Sequence, residues 1–189
     1  SIYKAVKLAQ NYINEQYPAL VNGKLPEEIY FVSSQELEDA YPDLTPKERE
    51  YRVAKEHGAV FISQIGGKLA SGKIHDTRAA DYDDWNLNGD ILLYYNEMDI
   101  ALEISSMGIR VDAAAMMAQL KEADALEKLK MPYHQAVING ELPLTIGGGI
   151  GQSRLCMFLL KKHHIGEVQV SIWPQDQVKY CEERGIMLL

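Results

Sequence analysis

Two short stretches of this 189-residue chain concentrate groups able to do chemistry. DYDDWNLNGD (81–90) places four carboxylates, Asp81, Asp83, Asp84 and Asp90, within ten residues. TIGGGIGQSRL (145–155) runs from apolar residues into Gly147, Gly148 and Gly149, then Gly151, then Arg154. An acidic cluster is commonly solvated turn chemistry. Asp90 differs, because it opens the apolar run DILLYY (90–95). Glu103 lies inside a second run, IALEISSMGIRV (100–111), between Leu102 and Ile104. If the runs pair as a hairpin, Asp90 and Glu103 can share a face. Two hard carboxylates on rigid strands can hold magnesium bound to polyphosphate. The alternative is an acid at each end of an edge hairpin, facing water.

Glycine lets a flat ligand approach the backbone and permits positive φ. Arginine stacks on an aromatic ring or forks onto phosphate. The spacing excludes two common nucleotide loops. Neither Gly147 nor Gly149 starts a G-x-G-x-x-G, and no lysine follows to make a P-loop. What remains is a strand, a glycine platform and a helix projecting Arg154; the alternative is tight strand-to-helix packing with Arg154 solvated. SSMGIR (105–110) adds Ser105, Ser106 and Arg110, types that suit a small anionic substrate. KIHDTR (73–78) adds His75, Asp76 and Arg78. His75 reads as a surface or hydrogen-bonded residue before a catalyst. His163 and His164 read as a helix C-terminus, not a zinc site.

The elements that position these groups follow from periodicity. Ile2, Val6, Ala9, Ile13 and Tyr17 recur at helical spacing. EIYFV (28–32) predicts a strand. Ser33 with Glu36, and Thr45 with Pro46 and Glu48, are helix-opening signatures; the second helix runs to His57 and stops at Gly58. AVFISQI (59–65) predicts a strand, 66–89 an irregular polar segment, and 90–95 and 100–111 two more strands. Helical patterns occupy 112–139, broken at Pro132. Gln152 to His163 predicts a helix and VQVSIW (168–173) a last strand. The expectation is one α+β domain over 1–189, with a mostly antiparallel sheet flanked by helices.

Bulk composition bounds the function. The chain is 47% hydrophobic and 24% charged, with net charge −8. That balance argues against gripping nucleic-acid phosphates. Cys156 and Cys181 have neither metal nor CxxC spacing, which fits reduced cytosolic thiols. No apolar run reaches membrane-span length and no signal peptide is evident, so a cytoplasmic location is expected. The chain begins with Ser1 rather than Met, so the natural start is expected elsewhere.

GGGIGQSRL resembles motif 3 of the class II aminoacyl-tRNA synthetases, where a strand, glycines and an arginine-bearing helix wall the ATP site. DYDDW, LNGDIL, EISSMGIRVD and ELPLTIGGGIGQSR, in this order, resemble the ammonia-dependent asparagine synthetase family, tRNA-independent relatives of aspartyl-tRNA synthetase. The resemblance spans the whole chain, including SSQEL, YPDL and IGGKL. It implies a class II synthetase-like core. It also implies a reaction: ATP and L-aspartate give a β-aspartyl adenylate and pyrophosphate, then ammonia gives asparagine and AMP. By the same resemblance, Asp90 and Glu103 hold ATP and Mg2+. Arg154 covers the adenine or pairs with phosphate, beside Gly151. Asp83 holds the aspartate ammonium. Ser106, Arg110, Arg78, Tyr82, Gly148 and Gly149 line the substrate pocket. Asp83 and Arg154 would carry the catalysis, which is mostly electrostatic and needs no covalent nucleophile.

The family is longer at its N-terminus. Motif 1, with its dimer interface, and motif 2, with its α-phosphate arginine, are not in this sequence. The expectation is a fragment, inactive alone, of a homodimeric enzyme. The rivals are an aspartyl- or asparaginyl-tRNA synthetase core and a truncated, non-catalytic nucleotide-binding relative.

Overall fold

Five strands form one sheet in the order β1-β2-β3-β4-β5, in a computed structural model that describes residues 1–18 and 24–189. They are β1 (Tyr30–Ser33), β2 (Ala59–Ser63), β3 (Asp83–Tyr95), β4 (Ile100–Arg110) and β5 (Ile146–Ile150). β1 and β2 are parallel, and the other neighbours are antiparallel. A parallel pair needs a crossover; α2 (Ser34–Ala40) and α3 (Pro46–His57) supply it. Both crossover helices open with capping boxes, Ser33 with Glu36 and Thr45 with Glu48. Gly58, at φ 76°, ends α3 in a conformation that favours glycine.

Alternation along the strands gives the sheet two apolar faces. Val60, Ile62 and Leu92 pack against Leu37 of α2 and Val53 and Ala54 of α3. Ile91, Leu93 and Ile104 pack on the other face, against Tyr3 and Val6 of α1 (Ile2–Gln16) and Met157 of α6 (Gln152–Leu159). A third cluster joins Trp85 and Val111 to Met116 and Leu120 of α4 (Ala113–Glu122). A 3-10 turn (Leu126–Lys130) leads into α5 (Pro132–Ile138), so Pro132 opens this helix. α7 (Gln175–Glu182) lies near the C-terminus.

The mostly antiparallel α+β sheet expected from the sequence is present, with three departures. β3 begins at Asp83, not at residue 90, because the polar Asp83 and Asn88 pair with Arg110 and Gly108 of β4 and are buried there, while Asn86 and Leu87 between them stay exposed. The expected last strand, residues 168–173, does not form; Val170 and Ile172 are 77% and 98% exposed, and the sheet contains no strand from this segment. β-propensity without a neighbour does not make a strand. α6 ends at Leu159, so His163 and His164 do not sit at its C-terminus. His164 instead caps a 3-10 turn, Ile165–Glu167, by accepting from the Gly166 N–H.

Candidate active site

The cleft is built on β4 and its neighbours. Ser106, Gly108 and Arg110 alternate onto one face of β4, opposite Asp90, Asn88 and Asp83 of β3. Glu103 is three residues from Ser106, so plain alternation would send it to the other face. The register shift prevents this: Ile91 pairs with Ser105 and Leu92 with Glu103, leaving Ile104 as the extra residue of a bulge. Asp90, Leu92, Glu103 and Ser106 therefore share a face, and Asp90 and Glu103 lie on adjacent antiparallel strands.

β5 continues this surface, with Gly149 opposite Ser106 and Gly147 opposite Gly108. A cleft of about 580 Å³ opens here, lined by Tyr82, Asp83, Glu103, Ser106, Arg110, Gly148, Gly149, Gly151 and Arg154. The glycines differ in what they do. At Gly147 a Cβ would overlap the Arg110 guanidinium. Gly149 has nothing within 4 Å of its Cβ position, so its side of the strand is bare. Gly148 points the other way: a Cβ there would stand 2.7 Å from Met107 Cβ and 3.4 Å from Ile2 Cδ1. Its backbone lines the cleft, while its missing side chain leaves room for packing.

Two segments distant in sequence meet at one end of the cleft. Asp83, only 9% exposed, forms an ion pair with Arg110. The Tyr82 ring lies against the same guanidinium, with 3.9 Å from its centroid to Arg110 Cζ. Arg110 Nη2 also donates to the Tyr82 hydroxyl at 2.9 Å. At the other end, Arg154 projects from the first turn of α6. Its Nη1 donates to the Glu103 carbonyl at 3.0 Å and to Glu103 Oε1 at 3.2 Å.

Arg78 and Asp90 stand apart from this lining. Arg78 pairs with Asp90 and, at 3.1 Å, with Asp76 Oδ2. Asp90 is 5% exposed. Burial pushes its carboxyl above the usual range, against the pull of the Ser106 hydroxyl and Arg78; the Glu103 and Asp76 charges reinforce the rise. Its Oδ1 is buried without a hydrogen-bond partner. An orphaned carboxylate oxygen beside Glu103 fits a hard divalent cation. Among the described residues no group of three or more His, Cys, Asp or Glu is placed to hold a metal by itself. Asp90 and Glu103 therefore fit a cation that brings phosphate or water oxygens with it.

A family profile described as aspartate-ammonia ligase matches residues 1–185. The chain belongs to the aspartate-ammonia ligase family. It is 58% identical over 189 residues to an aspartate–ammonia ligase of Clostridium perfringens (strain SM101). It is 57% identical over 188 residues to one of Levilactobacillus brevis. In both cases the match covers 100% of this chain and 56% of the relative, so the chain spans about half the length of these curated relatives. Among solved structures, it resembles an aspartyl-tRNA synthetase from Entamoeba histolytica, with TM-score 0.53 and 19% identity over 85% of this chain and 34% of that one. It also resembles an asparaginyl-tRNA synthetase from Pyrococcus horikoshii complexed with asparaginyl-adenylate, with TM-score 0.52 and 14% identity over 87% of this chain and 42% of that one. The fold of this aspartate-ammonia ligase family member is thus that of the class II synthetase cores. No helix among the described residues is long and apolar enough to cross a membrane.

Sequence reasoning missed the residues behind the acidic loop. Asp81 accepts from Lys128 Nζ and His134 Nε2, each at 3.0 Å. Burial raises its pKa, but these two partners outweigh burial and hold the carboxyl below its usual range. Gln119, 5% exposed, sits on α4 beside the buried Met116 and Leu120. A polar residue in an apolar helical stripe was the available signal. Of the two readings of His75, surface or hydrogen-bonded, the structure has the second: it is buried, with Nε2 3.1 Å from Glu50 Oε1.

Proposed function

We propose that this chain forms one wall of a site that joins L-aspartate and ammonia at the expense of ATP. The β-carboxylate of aspartate attacks the α-phosphorus and pyrophosphate leaves. Ammonia then attacks the acyl carbon of the β-aspartyl adenylate, loses a proton and expels AMP. The observation that carries this reading is the meeting of DYDD and SSMGIR. They put one acid, Asp83, and one base, Arg110, at the end of a cleft floored by a bare glycine strand. Aspartate brings an ammonium and two carboxylates, so it offers each member of the ion pair a new partner. Asp83 takes the ammonium and Arg110 a carboxylate, with Ser106 farther along the same face of β4.

The nucleotide lies along β5 toward α6. Gly149 leaves its side of the strand open, and Arg154 covers the adenine or meets a phosphate. Asp90 and Glu103 would hold Mg2+, which would supply positive charge beside the nucleotide's phosphates. The residues of the chain act by placement and fixed charge: they hold the carboxylate in line with the phosphorus. The likeness to a synthetase complexed with an adenylate supports an adenylate in this cleft.

The test uses the protein as its gene encodes it, supplied with ATP, Mg2+, L-aspartate and ammonium. AMP, pyrophosphate and asparagine are expected in equal amounts, each requiring both aspartate and ammonium. Release of ADP, or AMP formation that ignores ammonium, would remove the reading. Aspartate transferred to tRNA instead would favour a synthetase.

A further inference from the structure

We propose that Gln119, Lys128 and His134 are positioning residues that hold Tyr82 and Asp83 against Arg110, and so set recognition of the amino-acid substrate. The inference rests on the reading of Asp83 and Arg110 as the amino-acid pocket. Its starting point is a gap in the sheet. Asp83 pairs with Arg110, and the next pair is Asn88 with Gly108. Residues 84–87 therefore stand opposite Ile109 alone. The ladder that fixes the rest of β3 is interrupted at 84–87, so only the single pair Asp83 with Arg110 ties the strand's start to β4.

Side chains from the helical segment fill that gap. Gln119 Nε2 donates to the Ala80 carbonyl at 3.0 Å and to the Asp83 carbonyl at 3.1 Å. Its Oε1 accepts from the Trp85 N–H at 2.8 Å. One buried amide thus holds the backbone on both sides of Tyr82. Lys128 and His134 hold the Asp81 carboxylate from the 3-10 turn and from α5. The Val111 N–H donates to the Tyr82 carbonyl at 3.0 Å. These bonds clamp the backbone carrying Tyr82 and Asp83, whose side chains reach toward Arg110.

Packing does not do this job for Tyr82, whose side chain is largely in solvent at 55% exposure. Its position over the guanidinium is inherited from the backbone that Gln119 and Asp81 fix. A shift of about 1 Å in a substrate-holding group costs up to about a hundredfold in rate.

The experiment compares Gln119→Met, His134→Leu and His134→Gln with wild type in the full protein. Gln119→Met nearly keeps volume and removes three hydrogen bonds. His134→Leu removes one of the two donors to Asp81, leaving Lys128, and the glutamine amide of His134→Gln can replace it. The Michaelis constants for aspartate and for ATP are measured separately, with thermal unfolding alongside. Gln119→Met and His134→Leu are expected to raise the aspartate KM about tenfold or more. The ATP KM should stay within about twofold, and His134→Gln should restore the aspartate value. Lower melting temperatures with both KM values unchanged, or raised alike, would make the clamp a fold support and overturn the inference. If Gln119→Met fails to fold, the two His134 variants decide by the same split. Wild-type protein that makes no AMP from aspartate overturns the functional reading, and the inference falls with it.

Discussion

Asp83 and Arg110 neutralise one another, which explains how two opposite charges coexist at the paired ends of two interior strands. An ion pair left with one member is far more costly than the pair, because the remaining charge has neither water nor a partner. The same logic makes the pair a recognition device, since aspartate supplies a replacement for each partner. Asp83→Asn keeps the shape and removes the charge. It is expected to cost about 2–5 kcal/mol of aspartate recognition where the contact is desolvated. ATP recognition should change far less, since Glu103 and Arg154 lie at the other end of the cleft. Michaelis constants for both ligands, in wild type and variant, make the comparison. Equal losses would make Asp83 a fold residue; no loss would return the acidic loop to solvated surface.

The glycine strand divides its labour by the pleat, which gives a crossed prediction at the level of the element. Gly149→Val adds a side chain where nothing lies within 4 Å, on the cleft side. It should spare the melting temperature and block ligand binding. Gly148→Val adds one against Met107 and Ile2. It should cost about 1–3 kcal/mol of stability through overpacking. Binding constants and melting curves for the two variants check this; the reverse pattern would refute the assigned faces. The elements carrying these glycines were legible because their signals are local. Thr45 and Glu48 announce α3; Gly147 to Gly149 read as a platform between a strand and a helix, and in the structure they are themselves the strand, β5, with α6 following. The first half of β3 was not legible, because its evidence is tertiary. Asn88 behaves there like backbone, donating to the Ile65 carbonyl at 2.7 Å and accepting from the Ile65 N–H at 2.8 Å. The bulge at Ile104 was invisible too, although it brings Glu103 to the face of Asp90. VQVSIW shows the opposite error, a strand pattern with no strand beside it.

Across the whole molecule, the segment between β2 and β3 poses a problem, because loops longer than about 12–15 residues are uncommon in compact domains. Here the stretch from 64 to 82 carries Arg78 to Asp90, and the helices hold it at intervals. Gln35 accepts from the Ala70 N–H at 2.8 Å, Glu38 from the Ser71 hydroxyl at 2.8 Å, and Glu122 from the Lys68 N–H at 3.1 Å. The most buried of these anchors is His75 with Glu50. Burial raises the Glu50 pKa, but hydrogen bonds from His75 and from Lys47 of the same helix outweigh it and hold the carboxyl below its usual range. Lys47 also faces Asp76 at 3.9 Å. A carboxyl depressed in the folded state contributes stability above its unfolded pKa, about 4.3 for glutamate. That contribution is lost as pH falls through the depressed folded value. Glu50→Gln should therefore lower the melting temperature at pH 7, with a cost of about 1–3 kcal/mol. Each kcal/mol corresponds to about 2–4 °C at this chain length. Because wild-type Glu50 becomes protonated as the pH drops, the two melting curves should converge as pH falls below about 4.3 and through the depressed folded value. Thermal unfolding of both proteins between neutral pH and about pH 3 measures this. Equal melting temperatures at pH 7 would mean that the anchor adds nothing to the loop; a gap that persists unchanged into acid would mean that the lost stability comes from the shape of the side chain and not from its charge.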